Sequence, residues 1–246
     1  MRPIWPEPGP ELDDAQLEDL YRYPAGDDKW LAVNFVSSAD GAVETGGQAR
    51  PLSNPPDRKV LQLGSDLADV VLVGATTAMV EDFRGVHPGE ETLKIRRRHD
   101  LADVAPTAVV TTGSLPADAP AITQAATTTF VITCASAPPA KQKAWKEAGA
   151  ELIVAGEQQV DLAAAVRELA ERGMRRIDCE GGPHLFGGLI EAGLVDELRL
   201  TVSPLLVSGA ASRIAAGTPL DPVGIELATV LAEDGVLLLR YLVKGS

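Results

Sequence analysis

Two short stretches of this 246-residue chain set small residues between an apolar run and an amphipathic one. In DVVLVGATTAMVED, residues 69–82, Val70 to Val73 lead into Gly74, Ala75 and the hydroxyls of Thr76 and Thr77. In IDCEGGPHLFGGL, residues 177–189, an apolar run closes on Glu180 and passes through Gly181 and Gly182 to Pro183 and Leu185. Glycine lets a ligand come close to the backbone. Proline suits the first helical turn, where its missing N–H would be unpaired anyway. A helix N-terminus offers free N–H groups and about half a positive charge. The chemistry this suggests is the binding of phosphate groups, with one dinucleotide lying across both turns. A tight strand-to-helix turn without a ligand has the same pattern. Neither stretch is G-x-G-x-x-G, and there is no P-loop.

A third stretch, NFVSSADGAVE (34–44), puts Asn34 and Ser37 within or just past an apolar strand and starts a loop at Asp40-Gly41. An Asp-Gly turn alone accounts for it. As a site, Asp40 would stand near the same sheet edge as Glu180. Two carboxylates facing one pocket can orient an amino-heterocycle and carry a proton. Other features are weaker. His87, His99 and His184 have no metal spacing, so no metal is expected. KIRRRHD (94–100) reads as a solvated loop or as a clamp for a 2′-phosphate. Ser114 and Ser136 follow strands and are lesser candidates for ribose contact.

Positioning these residues falls to an alternating series of elements. Strands are expected at 30–36, 70–74, 107–113, 128–134, 151–155 and 175–180, with helices at 56–67, 139–150, 161–173 and 182–193 between them. That rhythm implies parallel strands with crossover helices, whose ligands sit at the carboxyl ends of the strands. The rhythm then changes. DELRLTVSPLLV (196–207) reads as one long strand, and 225–243 as a hairpin around Asp234-Gly235. The fold class is therefore α/β, with a mixed, mostly parallel sheet flanked by helices and an antiparallel C-terminal hairpin. The loop 37–56 is long for a structureless connection, which favours a functional role. Residues 1–28, rich in proline and acids with one short helical pattern, are expected as an arm packed on a body of residues 29–246.

Composition bounds the rest. A hydrophobic fraction of 45% suffices for a core, and 4% aromatics leaves Ala, Val and Leu to fill it. A net charge of −13 argues against non-specific nucleic-acid binding. Cys134 and Cys179 lie far apart with no C-x-x-C, which suggests a reducing compartment. The N-terminal residues lack the apolar segment of a signal peptide, and no apolar run approaches the ~20 residues of a membrane span. The expectation is a cytoplasmic protein whose partner is a small molecule, with no nucleic acid and no membrane.

With these residues in place, the chain resembles the reductase domain of riboflavin biosynthesis, the C-terminal domain of the bifunctional deaminase-reductase proteins, and its stand-alone pyrimidine reductase-like members. The matching pieces are NFVSSADG, PLSNPPDRKVLQLGSDLADVVLVGATTAMVED and EGGPHLFGGLIEAGLVDELRLTVSPLL. They run in the family's order over most of residues 30–207. The resemblance implies a dihydrofolate-reductase-like fold, NADPH as hydride donor, a homodimer and a ribosylamino-pyrimidine 5′-phosphate substrate. It implies cofactor contact by Gly74, Ala75, Thr77, Gly181, Gly182, Pro183 and Leu185. Asn34 and Ser37 would bind substrate, and Asp40 and Glu180 would be the catalytic carboxylates. The zinc deaminase half is absent. Asn34 stands where bifunctional members often have lysine, Thr76 departs from the usual Gly or Asn, and residues 1–28 match nothing in the family. The other functions compatible with these residues are a pterin or dihydrofolate reductase and a non-catalytic NADP-binding module.

Overall fold

The computed structural model describes residues 1–26 and 28–244. Asp27, in the expected arm, and Gly245 and Ser246, at the end of the expected body, lie outside the described residues. The elements run β1 (Arg2–Trp5), α1 (Asp14–Tyr21), β2 (Trp30–Ser38), α2 (Pro55–Asp66), β3 (Val70–Gly74), α3 (Ala75–Val80), α4 (Glu90–Arg98), β4 (Thr107–Val110), α5 (Pro120–Thr123), β5 (Phe130–Thr133), α6 (Pro139–Glu147), β6 (Glu151–Val154), α7 (Leu162–Glu171), β7 (Arg176–Cys179), α8 (Pro183–Glu191), β8 (Glu197–Ser203), β9 (Ile225–Glu233) and β10 (Val236–Val243). The strands form one ten-stranded sheet in the order β1-β9-β10-β8-β2-β7-β3-β4-β5-β6. From β8 to β6 every pair is parallel. β10, β9 and β1 add on antiparallel. The expected mixed sheet and C-terminal hairpin are both present, and Asp234 and Gly235 turn the hairpin at φ 51° and 80°.

Side chains alternate across the sheet. Leu31, Val33, Leu72 and Ile177 pack on Leu169 of α7 and on Phe186 and Leu189 of α8. On the opposite face Ala32, Leu231 and Leu238 meet Leu17 of α1 and Val60 and Leu63 of α2. Further along that face Val73, Val109 and Val131 cover Trp145 of α6. Helix starts are capped: Asn54 accepts the Asp57 N–H at 3.0 Å, and Asp161 accepts that of Ala164 at 2.9 Å. Among the described residues no helix is long and apolar enough to cross a membrane.

Three expectations change. The strand expected over 196–207 stops at Ser203, because Pro204 has no N–H to continue the ladder. Residues 204–224 form a loop instead. The first residues of the arm form β1, an edge strand along β9. Its four residues include Pro3, which conceals a strand in the sequence but is tolerated at an edge. The basic run at 94–100 is the last part of α4 and not a loop. Arg97 pairs with Asp103 at 3.0 Å and Arg98 with Glu18 at 2.6 Å. These arginines pair with the chain's own acids, and none of them lines the cavity described below.

Arg96, between them on α4, is fully buried. Its Nη1 donates to the carbonyls of Ser65, Asp66 and Ala68 at 3.1, 3.2 and 3.0 Å, and its Nε to that of Ala102 at 2.5 Å. A cation thus terminates α2 where its last carbonyls and dipole favour one. Arg96→Met is expected to lower unfolding free energy by about 3 kcal/mol, since several buried carbonyls lose their donor. Urea denaturation checks this through a lower midpoint.

Candidate active site

β7 and β3 are neighbours in the sheet, so the two small strand-to-helix turns meet. Gly74 N–H donates to the Gly181 carbonyl at 2.8 Å, and Glu180 N–H to that of Leu72 at 2.9 Å. The Gly181–Gly182 peptide is cis. The glycines here answer first to internal packing. A Cβ on Gly181, whose φ is +79°, would lie 2.8 Å from the Phe35 ring, and one on Gly182 would overlap the Thr77 hydroxyl. Neither Gly74 nor Gly182 caps its helix with a side chain, which leaves first-turn N–H groups of α8 open to an outside acceptor.

A cavity of 480 Å³ opens at this joint, within the range of small-ligand sites. Its floor is β2, β8 and β10 with Glu180 just past β7, its sides α2 and the turns at 76–77 and 182–184, and its rim residues of the loops 39–54 and 204–224. Of the seven residues expected at a cofactor, Thr77, Gly182 and Pro183 line this cavity; Gly74, Ala75, Gly181 and Leu185 do not. Ala75 and Leu185 are buried in the core behind it. Asn34 lines it, with Nδ2 donating to Asp178 Oδ1 at 2.5 Å. Ser37 is buried and outside it.

The structure separates the two expected carboxylates. Glu180 lines the cavity, half-buried, and has no hydrogen-bond or ion-pair partner for its carboxyl among the described residues. Burial and the nearby Asp178 push it up, towards the protonated form. Asp40 is exposed and does not line the cavity. Ser38 Oγ donates to it at 2.5 Å, and the N–H groups of Ser208 and Val207 at 2.7 and 3.2 Å. These donors, the Ser38 hydroxyl foremost, hold its carboxyl down at about 2. It is an ionised anchor, not a proton carrier. With the Ala39 N–H to Leu205 carbonyl bond at 2.9 Å and that of Val43 to Ser212 at 3.2 Å, it fastens loop 204–224 to loop 39–54.

Other site residues had no local signature. Arg50 and Arg58 line the cavity and form no ion pair among the described residues. Asp57, which accepts from Ser53 Oγ at 2.5 Å, is pushed up by burial. The floor carries Arg199, which is buried. Its Nε donates to Glu197 at 2.8 Å, while Arg240 Nε donates to the same carboxylate at 2.6 Å. Glu197 is held at about 2, chiefly by Arg199 and Arg240 against its burial. The available signal was the alternation Glu197, Arg199, Thr201, Ser203, which also describes a strand with one face in water.

A cleft at the carboxyl ends of parallel strands, with an uncapped helix turn beside an unpaired carboxyl, defines the class: an α/β protein with a small-ligand site at the strand ends. The chain belongs to the RibD C-terminal domain family, whose model matches residues 29–237. It is 27% identical over 230 residues to the 2,5-diamino-6-ribosylamino-4(3H)-pyrimidinone 5′-phosphate reductase of Methanothermobacter thermautotrophicus, covering 88% of this chain and 99% of the relative. To the protein of the same name from Archaeoglobus fulgidus it is 31% identical over 184 residues, 73% of this chain and 82% of the relative. Among solved structures, a pyrimidine reductase-like protein from Corynebacterium diphtheriae shares the fold with a TM-score of 0.77 at 20% identity, over 89% of this chain and 93% of the other.

The Asp40 anchor has a definite pH dependence. Its carboxyl is lower in the folded chain than its ordinary 3.8, so its contribution is complete above that value and disappears as pH falls to about 2. At neutral pH, Asp40→Asn is expected to lower hydrogen-exchange protection of Val207 and Ser208 at least several-fold while β2 and β7 stay protected. Exchange followed by mass spectrometry checks this.

Proposed function

We propose that the chain is an NADPH-dependent reductase of a ribosylamino-pyrimidine 5′-phosphate in the riboflavin pathway, converting the ribosyl group to a ribityl chain. The observation that carries this reading is Glu180. A carboxyl pushed towards its protonated form, with no protein partner among the described residues, faces a cavity at the very turn suited to a dinucleotide. The names of the archaeal relatives supply the substrate class. The same names support the pyrimidine over dihydrofolate as substrate, and the open N–H groups of α8 support a dinucleotide as hydride donor.

In this reading the turn at Gly182 and Pro183, with Thr77 beside it, holds the cofactor diphosphate. Bound there, NADPH supplies the hydride that reduces C1 of the ribose in its open imine form. Arg50 and Arg58 hold the 5′-phosphate, the only strong cations of the cavity free of a protein acid among the described residues. Asn34 and Asp57 face the pyrimidine. Glu180 gives its proton to the imine nitrogen as C1 is reduced and regains one from water after release. Asp40 serves by holding the wall of loop 204–224, not by proton transfer. Residues 29–246 form the reductase domain, with 1–28 as an addition that precedes the family match.

A homodimer and a cytoplasmic location belong to the same reading. The free, buried Cys134 and Cys179 support a reducing compartment. The hairpin edge is already covered by β1, so the surface for a second copy is the apolar set Ile4, Trp5, Leu206, Leu220, Val223 and Ile225, with Leu206 82% exposed.

Loss of NADPH absorbance is expected with the diamino-ribosylamino-pyrimidinone phosphate and not with dihydrofolate. Glu180→Gln is expected to lower turnover about 100-fold or more with NADPH affinity kept. Arg58→Ala is expected to raise KM for the phosphate substrate about tenfold, or about 1.4 kcal/mol. Oxidation with dihydrofolate alone, or full turnover in Glu180→Gln, would overturn the assignment. Light scattering at micromolar concentration is expected to give twice the chain mass, and Leu206→Glu to give the monomer.

A further inference from the structure

Asp178 of β7 lies two residues before Glu180, whose N–H still pairs with β3 at the Leu72 carbonyl, so both point to the same face of the sheet. Asp178 is fully buried, and its surroundings supply it with donors. Asn34 Nδ2 reaches its Oδ1 at 2.5 Å, the Tyr23 hydroxyl at 3.4 Å, and Arg199 Nη1 stands 3.7 Å away. Its other oxygen, Oδ2, has no hydrogen-bond partner among the described residues and no access to water, and the same holds for Arg199 Nη1. Glu180, by contrast, has no donor to its carboxyl among the described residues. The nearest helix leaves room for this arrangement only because residue 64 is glycine. A Cβ there would stand 2.7 Å from Asp178 Oδ1 and 3.2 Å from Arg199 Nη1.

The N-terminal residues that precede the family match close the cluster. The Arg199 guanidinium carbon sits 5.4 Å from the Tyr21 ring centre and 5.1 Å from that of Tyr23, while its Nη2 donates to the Tyr21 carbonyl at 3.2 Å. This sandwich orients the guanidinium beside Asp178 and seals it from water. Glu197 of β8 and Arg240 of β10 complete the charges beyond Arg199. On the cavity side the pair is faced by Asp57 and Arg58 of α2 and by His184 of α8.

We propose that Tyr23, Arg199 and Asp178 are positioning residues for Glu180: the first two hold Asp178 as the anion of a two-carboxyl pair, so that the pair's one proton resides on Glu180, at the cavity. Two carboxyls two residues apart on one sheet face, one of them fully buried, disfavour double ionisation at neutral pH. Donors decide which group keeps the proton, and all of them stand at Asp178. Burial raises both groups, Asp178 is brought back by Arg199, Asn34 and Tyr23, and Glu180 has no such compensation. Residues 1–28 thereby become part of the reductase site through Tyr21 and Tyr23. The inference rests on the reading of Glu180 as proton donor, but its test needs neither substrate nor turnover.

The test is infrared titration of the protonated-carboxyl C=O stretch in the full chain, with 13C-labelled glutamate to separate Glu180 from Asp178. In the wild type a protonated glutamate band is expected at neutral pH and to be absent in Glu180→Gln. The pair should titrate in two separate steps. Asp178→Asn removes the neighbouring anion, so Glu180 should release its proton at least about one pH unit lower. Tyr23→Phe removes only a donor to the Asp178 anion, so the lower step should move up while the upper one stays. A neutral-pH band that survives Glu180→Gln overturns the proposal. So does an upper step unmoved by Asp178→Asn, or a lower step unmoved by Tyr23→Phe. If Asp178→Asn does not fold, the wild type, Glu180→Gln and Tyr23→Phe still decide. Bands as expected with no turnover on the pyrimidine phosphate would retire the substrate assignment and leave the proton placement standing.

Discussion

The ion pair of Arg199 with Glu197, buried in the middle of the sheet, constrains everything around it. Its two side chains are 2% and 0% exposed, and Arg240 bonds the same carboxylate. Charges removed from water at this depth need partners for most of their hydrogen-bonding positions, and among the described residues Arg199 Nη1 is the atom of this pair left without one. The partners come from far along the chain. Trp30 Nε1 donates to Glu197 at 3.1 Å, the Tyr21 carbonyl accepts from Arg199, and two tyrosine rings cover the guanidinium. The strand order meets the same need: β10, β8, β2 and β7 must be adjacent for Arg240, Arg199, Asn34 and Asp178 to make one row.

That row divides the labour of the site. Its floor comes from adjacent strands, where side-chain direction is set by the pleat and cannot drift. Its rim comes from two long loops, which hold position through local bonds of the Asp40 kind. Asp40 and Glu180 therefore have opposite electrostatics despite equal formal charge. Asp40, in water and given hydroxyl and amide donors, is held towards the ionised form; Glu180, half-buried beside another acid and given no donor among the described residues, is pushed towards the protonated one. The division suits a hydride transfer, in which alignment of donor and acceptor is the protein's main contribution.

The joint of the two glycine turns shows how packing and ligand binding share residues. Gly181 and Gly182 make room for Phe35 and Thr77, so the turns pack as one unit before any ligand is considered. The surface left over, the first turn of α8, faces the cavity with its N–H groups uncapped. A tight turn and an anion site are here one feature seen from its two sides.

By itself the sequence determined the kinds of element and their order: apolar β-branched runs, the helix cap at Asp161, and the Asp234-Gly235 turn act within a few residues, so the chain displays them locally. It also marked Glu180 and the two small turns, because strand-to-helix joints have a local composition. Strand β1 was hidden by Pro3, and the end of β8 was overrun, because edge pairing and ladder termination depend on a partner strand. Only the tertiary structure decided which acid faces the cavity. Asp40 and Glu180 look alike in sequence; what separates them is the burial of Glu180 beside Asp178 and the donors at Asp40, where Ser38 is local but the N–H groups of Val207 and Ser208 come from 167 and 168 residues away. Likewise Arg199 in an alternating strand reads as solvated until Tyr21 closes over it from 178 residues away, and Asp178 acquires its donor Tyr23 across 155. A charge's environment is set by what packs on it, and the pattern of neighbouring residues does not record packing partners so distant in the chain.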